Sequence, residues 1–277
     1  MEKEIIDFLT QYWWVILLGL WILGKIFDSD NRVTKDYYAS GKIRKITPHK
    51  DGLVHGTEVS YYPNGNIECV VEFHKGIPCG KLEAYYENGN RKYYFEEILN
   101  ENPYNGKAME YYENGNIKYV NNYREGKKVG YTASYYSNGQ IQIELEDHFE
   151  NKPTNGFFRE YYENGQLKEE THYEDGVEKG YAVNYFSNGQ IEKEWEDILD
   201  GKPNNGFFRS YYENGQLKKE VFYKNGKPEG IQKEYYESGE LEWETPYQNG
   251  EIHGIMKRYD KNGEVEAKVV YKNGYKI

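Results

Sequence analysis

Cysteine is scarce in this sequence, and so are the residues that build an ordinary hydrophobic core. The 277 residues include two cysteines, Cys69 and Cys79, which lack CxxC or zinc-type spacing. Two thiols cannot cross-link a chain of this length into a scaffold, and we expect both to be free. Apolar residues make up only 38% of the chain, and the mean hydropathy is −0.98. This composition excludes a polytopic membrane protein and leaves no disulfide framework.

An excess of basic charge is also absent. Lysine and arginine number 35, against 46 aspartates and glutamates, so the net charge is −11. A protein that binds nucleic acid needs a basic surface to face the phosphates. We therefore expect no nucleic-acid partner.

The sequence lacks the motifs of common catalytic and metal sites. Its six histidines form no HExxH motif, and there is no GxSxG elbow, P-loop or dinucleotide-binding fingerprint. The carboxylate run between Glu144 and Asp147 is accompanied by no second type of metal ligand. We predict that the chain is not an enzyme and that it has no cofactor, no metal site and no small-molecule substrate.

Tyrosine and glycine are abundant, with 31 and 29 residues, and aromatic residues reach 17%, which excludes a disordered chain. A glycine in the context Tyr-Tyr-x-Asn-Gly-x-Ile/Leu recurs at a near-constant interval, which indicates a repeat protein. The ten turn glycines are Gly41, Gly65, Gly89, Gly115, Gly139, Gly165, Gly189, Gly215, Gly239 and Gly263. These copies fill residues 37–277 and leave no room for a second globular domain.

Each copy has the pattern of a β-hairpin. In one copy, residues 156–162 form an alternating stretch, Asn164-Gly165 follows as a turn, and residues 166–173 continue as the second strand. Asn-Gly favours a type I′ turn, which needs positive φ at both central residues. We therefore predict an all-β repeat fold over residues 31–277, an elongated β-hairpin solenoid of ten 24–26-residue repeats. The tyrosines are expected to be mainly structural, because their rings cover neighbouring strands while their hydroxyls remain polar.

The first thirty residues have a different composition. Residues 15–24 are uninterrupted apolar sequence, and the apolar stretch extends from Phe8 to Phe27. Because about 20 helical residues cross a ~30 Å hydrocarbon layer, we predict that residues 1–30 form one N-terminal transmembrane helix ahead of the repeats. A cleaved signal peptide and a soluble helix are the alternatives. The acidic N-terminus and the lack of any alanine before Ala39 argue against cleavage.

The repeat unit resembles the MORN (membrane occupation and recognition nexus) repeat, and specifically its bacterial variant. The residues that carry the resemblance are Tyr161-Tyr-Glu-Asn-Gly-Gln-Leu-Lys168, then Tyr173-Glu-Asp-Gly176 and Gly180. The same unit is found in antitoxin-like MORN-variant repeat proteins, and here it extends over residues 37–277. The resemblance implies a hairpin solenoid that binds a partner, with an antitoxin or immunity-type role as the function expected from that family.

Charge and linker length single out one part of the array. Between Gly139 and Asp200 there are 16 acidic and five basic residues, a net charge of −11. Two of the longer linkers, each followed by Gly-Phe-Phe-Arg, recur here as parts of a duplicated pair of repeats. This pattern indicates a docking surface for a basic protein, with a solvated face and neutral duplication as the alternatives. The candidate partner-binding residues are Glu144, Glu146, Asp147, Phe158, Glu194, Glu196, Asp197 and Phe208.

These features predict a non-enzymatic protein-binding repeat module tethered to a membrane by its N-terminal helix. Its partner is expected to be a protein, of the toxin type if the family resemblance extends to function. The alternative function is a membrane-tethered scaffold or cell-envelope organising protein. Lysine and arginine are more frequent after the apolar span than before it, which predicts that the repeat domain is cytoplasmic. An exported or periplasmic location is the alternative.

Overall fold

The computed structural model describes residues 31–277, and every regular element in that range is a β-strand. The described residues divide into two compact units, residues 31–103 and Tyr104–Ile277. The first unit contains β1 (Arg32–Tyr37), β2 (Ile43–Lys50), β3 (Leu53–Val54), β4 (Gly56–Tyr61), β5 (Ile67–His74), β6 (Ile77–Tyr85) and β7 (Arg91–Leu99). β8 (Asn102–Tyr111) begins at the end of the first unit and continues into the second.

The remaining strands belong to the second unit. They are β9 (Ile117–Arg124), β10 (Lys127–Lys128), β11 (Thr132–Tyr135), β12 (Ile141–Leu145), β13 (His148–Phe149), β14 (Lys152–Pro153), β15 (Gly156–Tyr161), β16 (Leu167–Glu174), β17 (Val177–Tyr185), β18 (Ile191–Leu199), β19 (Lys202–Pro203), β20 (Gly206–Tyr211), β21 (Leu217–Lys224), β22 (Lys227–Tyr235), β23 (Leu241–Gln248), β24 (Glu251–Ile252), β25 (Gly254–Tyr259), β26 (Val265–Lys272) and β27 (Tyr275–Lys276).

Antiparallel hairpins follow one another along the chain within each unit. In the second unit β15 pairs with β16, and β16 then pairs with β17, the first strand of the next hairpin. Alternate side chains therefore lie on opposite faces of the sheet, except at the bulges beside the turns, and β13 and β14 form a separate two-stranded sheet. The predicted β-hairpin repeat is confirmed.

The predicted type I′ turn at Asn-Gly is wrong. Gly165 has a φ of 85°, whereas Asn164 is not among the residues with positive φ. The Gly165 N–H donates to the Tyr162 carbonyl at 2.8 Å, and the Tyr162 N–H donates to the Gln166 carbonyl at 2.8 Å. This is a three-residue loop in which a type I turn is followed by a left-handed glycine that forms a bulge. All ten turn glycines have positive φ and donate to the carbonyl three residues earlier.

Type I′ turns lie at the opposite ends of the hairpins. Asp175 and Gly176 both have positive φ, at 51° and 79°, and they join β16 to β17. In the longer linkers the second position of this turn is Glu101, Asn151 or Gly201, with φ of 68°, 66° and 69°. Glu101 is thus a bulky residue in a conformation that normally favours glycine.

In addition to the backbone pairing of adjacent strands, tyrosine hydroxyls join successive hairpins, and few apolar side chains are fully buried. The second tyrosine of a repeat donates its hydroxyl to the backbone carbonyl of the first tyrosine of the next repeat, as Tyr162 does to Tyr185 at 2.8 Å. The same bond occurs from Tyr38, Tyr62, Tyr112, Tyr136, Tyr212 and Tyr236. The structural role predicted for these tyrosines is confirmed. Phe186 occupies the same position in its repeat and has no hydroxyl to donate.

The expected fold class, which joined the hairpin array to a transmembrane helix, needs correction. Residues 31–277 contain no helix, and hence none long and apolar enough to cross a membrane. The physical reason is that turn glycines interrupt this range at every repeat and leave no apolar run of about 20 residues. The fold class of the described chain is an all-β array of antiparallel hairpins. Residues 1–30, where the helix was predicted, lie outside the described residues.

Candidate functional site

The predicted acidic surface is built around an arginine. Glu144 on β12, Arg159 on β15 and Glu170 on β16 stand opposite one another on adjacent strands. Arg159 Nε lies 2.6 Å from Glu170 Oε2, and its Nη1 lies 2.8 Å from Glu146 Oε1 and 3.4 Å from Glu144 Oε1. We call this group the first arginine clamp. Glu144 and Glu146 contact the same nitrogen, so they share one face of the sheet as alternation predicts.

A second arginine clamp occurs at Arg209, in the second Gly-Phe-Phe-Arg sequence. Arg209 Nε lies 2.8 Å from Glu220 Oε2, and its Nη1 lies 2.9 Å from Glu196 Oε1 and 3.7 Å from Glu194 Oε1. The corresponding distances in the first clamp are 2.6, 2.8 and 3.4 Å. The sequence duplication has therefore produced two nearly identical charged surfaces in the second unit.

Aromatic rings support both guanidinium groups. The Arg159 guanidinium lies 4.7 Å from the Phe157 ring centroid, and the Arg209 guanidinium lies 4.6 Å from the Phe207 ring centroid. Phe157 is in turn in edge contact with His172 at 5.0 Å, and Phe207 contacts Phe222 at 5.2 Å. These cation–π and edge contacts fix the orientation of each clamp.

Tyrosine hydroxyls hold the more buried carboxylates. Tyr161 donates to Glu144 Oε1 at 2.7 Å, and Tyr211 donates to Glu194 Oε1 at 2.6 Å. Burial, together with the hydrogen bond to Glu144, raises the pKa of Tyr161 to about 12. The pKa of Tyr211 is raised for the same reasons, with Glu194 as the hydrogen-bond partner. Both phenols therefore stay neutral at ordinary pH and act as donors.

Two of the six clamp carboxylates are more exposed than the other four. The side chains of Glu146 and Glu196 are 43% and 44% exposed, whereas those of Glu144 and Glu194 are 16% and 17% exposed. The backbone N–H of Phe207 donates to Glu196 at 2.9 Å and is the main reason why the pKa of Glu196 is lowered. In each of these carboxylates Oε1 contacts the arginine and Oε2 accepts from the backbone N–H of Phe157 or Phe207.

Asp147 and Asp197 lie in the longer linkers and hold their loops closed. Asp147 Oδ2 accepts a hydrogen bond from Thr154 Oγ1 at 2.8 Å, and Asp197 Oδ2 accepts one from Asn204 Nδ2 at 3.0 Å. The backbone carbonyls of both aspartates also accept from the N–H groups of the same two partners. These aspartates shape the loops beside the clamps.

Phe158 and Phe208 lie on the opposite face of the sheet from the clamps. Phe158 stands across from Leu145 and Thr171, and the Phe208 ring contacts Trp195 at 5.3 Å. The structure therefore does not bring these two phenylalanines together with the carboxylates. The aromatic residues beside the clamps are Phe157 and Phe207. The sequence contains the signal that identifies them, because the first phenylalanine and the arginine of Gly-Phe-Phe-Arg are two positions apart and therefore share a face of the strand.

Within residues 31–277 no cluster of three or more histidine, cysteine, aspartate or glutamate side chains could hold a metal ion. The carboxylates of the two clamps are instead directed at guanidinium and hydroxyl groups. The site is thus a polar surface whose charged groups are already held by one another.

Comparison with known proteins identifies the repeat. Six stretches match the MORN repeat variant, namely residues 54–75, 104–125, 155–175, 205–225, 228–249 and 252–273. The chain therefore contains MORN-variant repeats, and two of them carry Arg159 and Arg209. The match identifies the repeat and does not extend to an antitoxin family. No curated protein matches the sequence significantly.

Three solved structures share weak similarity with the chain. They are a TcdB2-TccC3-TEV crystal structure (13% identity, TM-score 0.23), a Photorhabdus luminescens Tc holotoxin pore (14%, 0.21) and a TcdB2-TccC3-Cdc42 crystal structure (13%, 0.18). The matches cover 89%, 87% and 87% of this chain but only 14%, 13% and 15% of those chains. At these TM-scores the similarity carries no argument about function.

Proposed function

We propose that this chain of MORN-variant repeats is a non-enzymatic binding module whose second unit docks a protein partner. The observation that carries the proposal is the pair of arginine clamps, whose corresponding distances agree closely although they lie on different repeats. Two charged surfaces with nearly equal distances between corresponding atoms support recognition of a partner at two equivalent places.

The charge of the region supports a basic partner. Pairing within the clamps leaves the net charge of −11 between Gly139 and Asp200 unchanged, and this field acts over about a Debye length. Glu146 and Glu196 are the carboxylates of the clamps that a partner can reach, since they are the exposed ones. Long-range attraction would accelerate encounter, and these two side chains would make the short-range contacts.

The clamps also favour binding because they are held in place before a partner arrives. Each guanidinium is fixed by carboxylates on two strands and by a ring beneath it. Little side-chain freedom is therefore left to lose on association, which increases the affinity obtained from each contact.

The test first uses the purified chain to capture the partner from an extract of the cells that produce this protein. The association and dissociation rates of the complex are then measured. Glu146→Lys with Glu196→Lys should weaken the complex about tenfold, since each exposed ion pair contributes up to about 1 kcal/mol. The matched control is Glu163→Lys with Glu213→Lys, two exposed turn residues with the same separation along the chain. Both double variants alter the net charge equally, so only the clamp variant should speed dissociation. Equal effects of the two variants would refute docking at the clamps.

Neutralisation of a toxic protein is the more specific form of this proposal, and its support is the resemblance to antitoxin-like repeat proteins. Expression of the captured partner alone should then arrest growth, and co-expression with this chain should restore it. A partner that is harmless alone would favour the scaffold alternative, in which deletion of the chain alters the distribution of envelope components instead.

A further inference from the structure

A trough of about 660 Å³ crosses the sheet of the first unit between β2 and β7. Its floor is a row of small side chains, Ser60, Cys69 and Ala84, which stand opposite one another on adjacent strands. Lys45 and Tyr93 end this row. The row continues in the second unit, where large residues such as Ile143, Glu160 and Glu169 fill it and Lys193 and Lys219 flank the small Ser210. The trough is therefore a particular feature of the first unit.

Tyrosine rings line the trough at regular intervals. Tyr38 and Tyr62 both belong to its lining, and their hydroxyls are engaged with the carbonyls of Tyr61 and Tyr85 at 2.5 and 2.8 Å. Each ring is thereby held in one orientation and offers aromatic carbon to a ligand. The two tyrosines are one repeat apart, which is two strand spacings or about 9.6 Å.

Three charged side chains are also spaced one repeat apart along the trough. Arg44, Glu68 and Lys92 each lie three residues after a turn glycine and all line the trough. The nearest carboxylate to Arg44 is Asp36 at 3.8 Å. Among the described residues, Glu68 and Lys92 have no oppositely charged group within 4 Å, and Lys92 Nζ lies over the rings of Tyr86 and Tyr93 at 5.5 Å.

Two of the three equivalent lysines of the second unit are, by contrast, neutralised, whereas Lys218 lies over the Tyr212 ring at 5.4 Å. Lys118 and Lys168 occupy the same position in their repeats and pair with Glu110 and Glu160, each at 2.8 Å. The first unit thus presents a positive, a negative and a positive group in a line, about 9.6 Å apart, above aromatic walls. Glu68 and Lys92 are available to a ligand, and the exposed Arg44 can exchange its 3.8 Å pair with Asp36 for a ligand carboxylate.

We propose that this trough binds a polyproline II segment of a partner protein, with an acidic, a basic and an acidic residue at every third position. A polyproline II helix has three residues per turn and rises about 3.1 Å per residue, so positions three apart share a face about 9.3 Å apart. The mismatch with the protein repeat is about 0.3 Å per turn. An extended β-strand does not match, because its positions three apart lie on opposite faces.

Aromatic walls and charge order both favour this ligand. Grooves lined by aromatic residues accept proline rings, and the polyproline II conformation is largely formed before binding. Lys45 adds no free charge, because its ammonium lies 2.7 Å from Glu58. A uniformly anionic chain such as an oligonucleotide would bring a negative group against Glu68, which disfavours it. This inference concerns the first unit and is independent of the arginine clamps.

The probe is a fluorescent peptide, Glu-Pro-Pro-Lys-Pro-Pro-Glu, titrated into the full chain and followed by anisotropy. Its charge order is the same in both directions, so the orientation of binding does not matter. The control peptide Glu-Pro-Lys-Pro-Glu-Pro-Pro has the same composition with the charges two residues apart. We expect it to bind about tenfold more weakly, as the loss of two exposed ion pairs predicts. Equal binding of the two peptides would overturn the proposal.

A charge exchange gives the decisive comparison. The variant Arg44→Glu, Glu68→Lys, Lys92→Glu should lose the first peptide and bind Lys-Pro-Pro-Glu-Pro-Pro-Lys, which the natural chain should reject. The control variant with the same net change carries Lys224→Glu, Glu237→Lys and Lys272→Glu on exposed positions of the second unit and should keep the original preference. A folded exchange variant that does not reverse the preference would refute the site.

A milder variant covers the case in which the triple exchange fails to fold. Glu68→Gln should weaken the Glu-Pro-Pro-Lys-Pro-Pro-Glu peptide and leave Glu-Pro-Pro-Ala-Pro-Pro-Glu unaffected, because the second peptide has no base for Glu68 to meet. Equal loss for both peptides would contradict the contact. Tighter binding of a seven-nucleotide single strand than of the first peptide would overturn the choice of ligand.

Discussion

The hydrogen bond from Tyr162 to the Tyr185 carbonyl gives the sharpest test of how neighbouring repeats are held together. Tyr162→Phe removes one hydroxyl and leaves the ring beside the carbonyl that the hydroxyl contacts at 2.8 Å. An intramolecular hydrogen bond contributes about 0.5–1.5 kcal/mol net, so we expect a loss of about 1 kcal/mol at this junction. The chain already contains the reciprocal case, because Phe186 stands at the corresponding position of the next repeat.

Phe186→Tyr should therefore stabilise the following junction by a similar amount. The new hydroxyl would face the carbonyl of Tyr211, which lies 25 residues ahead, the same separation that Tyr136 bridges to Tyr161 at 2.9 Å. Native-state amide hydrogen exchange is the suitable assay, because repeat arrays are stabilised by nearest-neighbour terms and open locally. A change of about 1 kcal/mol alters local protection roughly fivefold.

The control for both substitutions is Tyr275→Phe, since Tyr275 is 78% exposed and its hydroxyl has no partner among the described residues. It should leave protection unchanged everywhere. The reasoning would be refuted if Tyr162→Phe were equally silent, or if Phe186→Tyr lowered protection in its own repeat. A uniform loss of protection across the second unit after Tyr162→Phe would show one cooperative core instead of separable junctions.

Three further predictions follow from the turns and from the tyrosine–carboxylate bonds. Glu101→Gly should raise the free energy of unfolding by about 1 kcal/mol in urea titrations, because it relieves a left-handed residue; the matched change Gly201→Glu should lower it. Gly165→Val should lower the free energy of unfolding by about 1–3 kcal/mol, because the φ of Gly165 is 85° and an added Cβ would collide with Gln140. Urea unfolding followed by circular dichroism measures this loss, and an unchanged free energy would contradict the prediction. The raised pKa of Tyr161, about 12, means that the folded state disfavours tyrosinate, so stability should fall as pH rises from about 10 to 12. Tyr161→Phe should flatten that decline in pH-dependent unfolding, and an unchanged slope would contradict it.

The hairpin repeat was predictable from local signals. The paired tyrosines and the Asn-Gly dipeptide each recur in eight of the ten copies, and each signal acts within a few residues. The turn type was not predictable from the dipeptide alone. Asn164-Gly165 suits both a two-residue and a three-residue loop, and one residue of loop length decides whether Asn164 takes positive φ. The dipeptide therefore predicts a hairpin more securely than it predicts a turn geometry.

The candidate site was only partly predictable because it depends on register between strands. Alternation places Glu144 and Glu146 on one face, but nothing local shows that Arg159 stands across from Glu144, because the intervening linker sets that alignment. Alternation would have favoured Phe157 over Phe158, because Phe157 is two residues from Arg159 and so lies on the same face of the strand. The trough of the first unit likewise exists only because three small residues on three strands come into line.

The tyrosine bonds of the second unit all run in the same direction along the chain, each repeat donating to the one that follows it. Every repeat with a Tyr-Tyr pair therefore carries the acceptor carbonyl and the donor hydroxyl on adjacent residues, and any two such repeats form a compatible junction. Removal of residues 162–211 would leave Tyr161 followed by Tyr212, and so would restore a Tyr-Tyr pair with an intact turn behind it. Unequal recombination between the two duplicated segments would thus change the length of the array without creating a new interface. The number of repeats is accordingly a variable that selection can alter in one genetic step, independently of the sequence of any single hairpin.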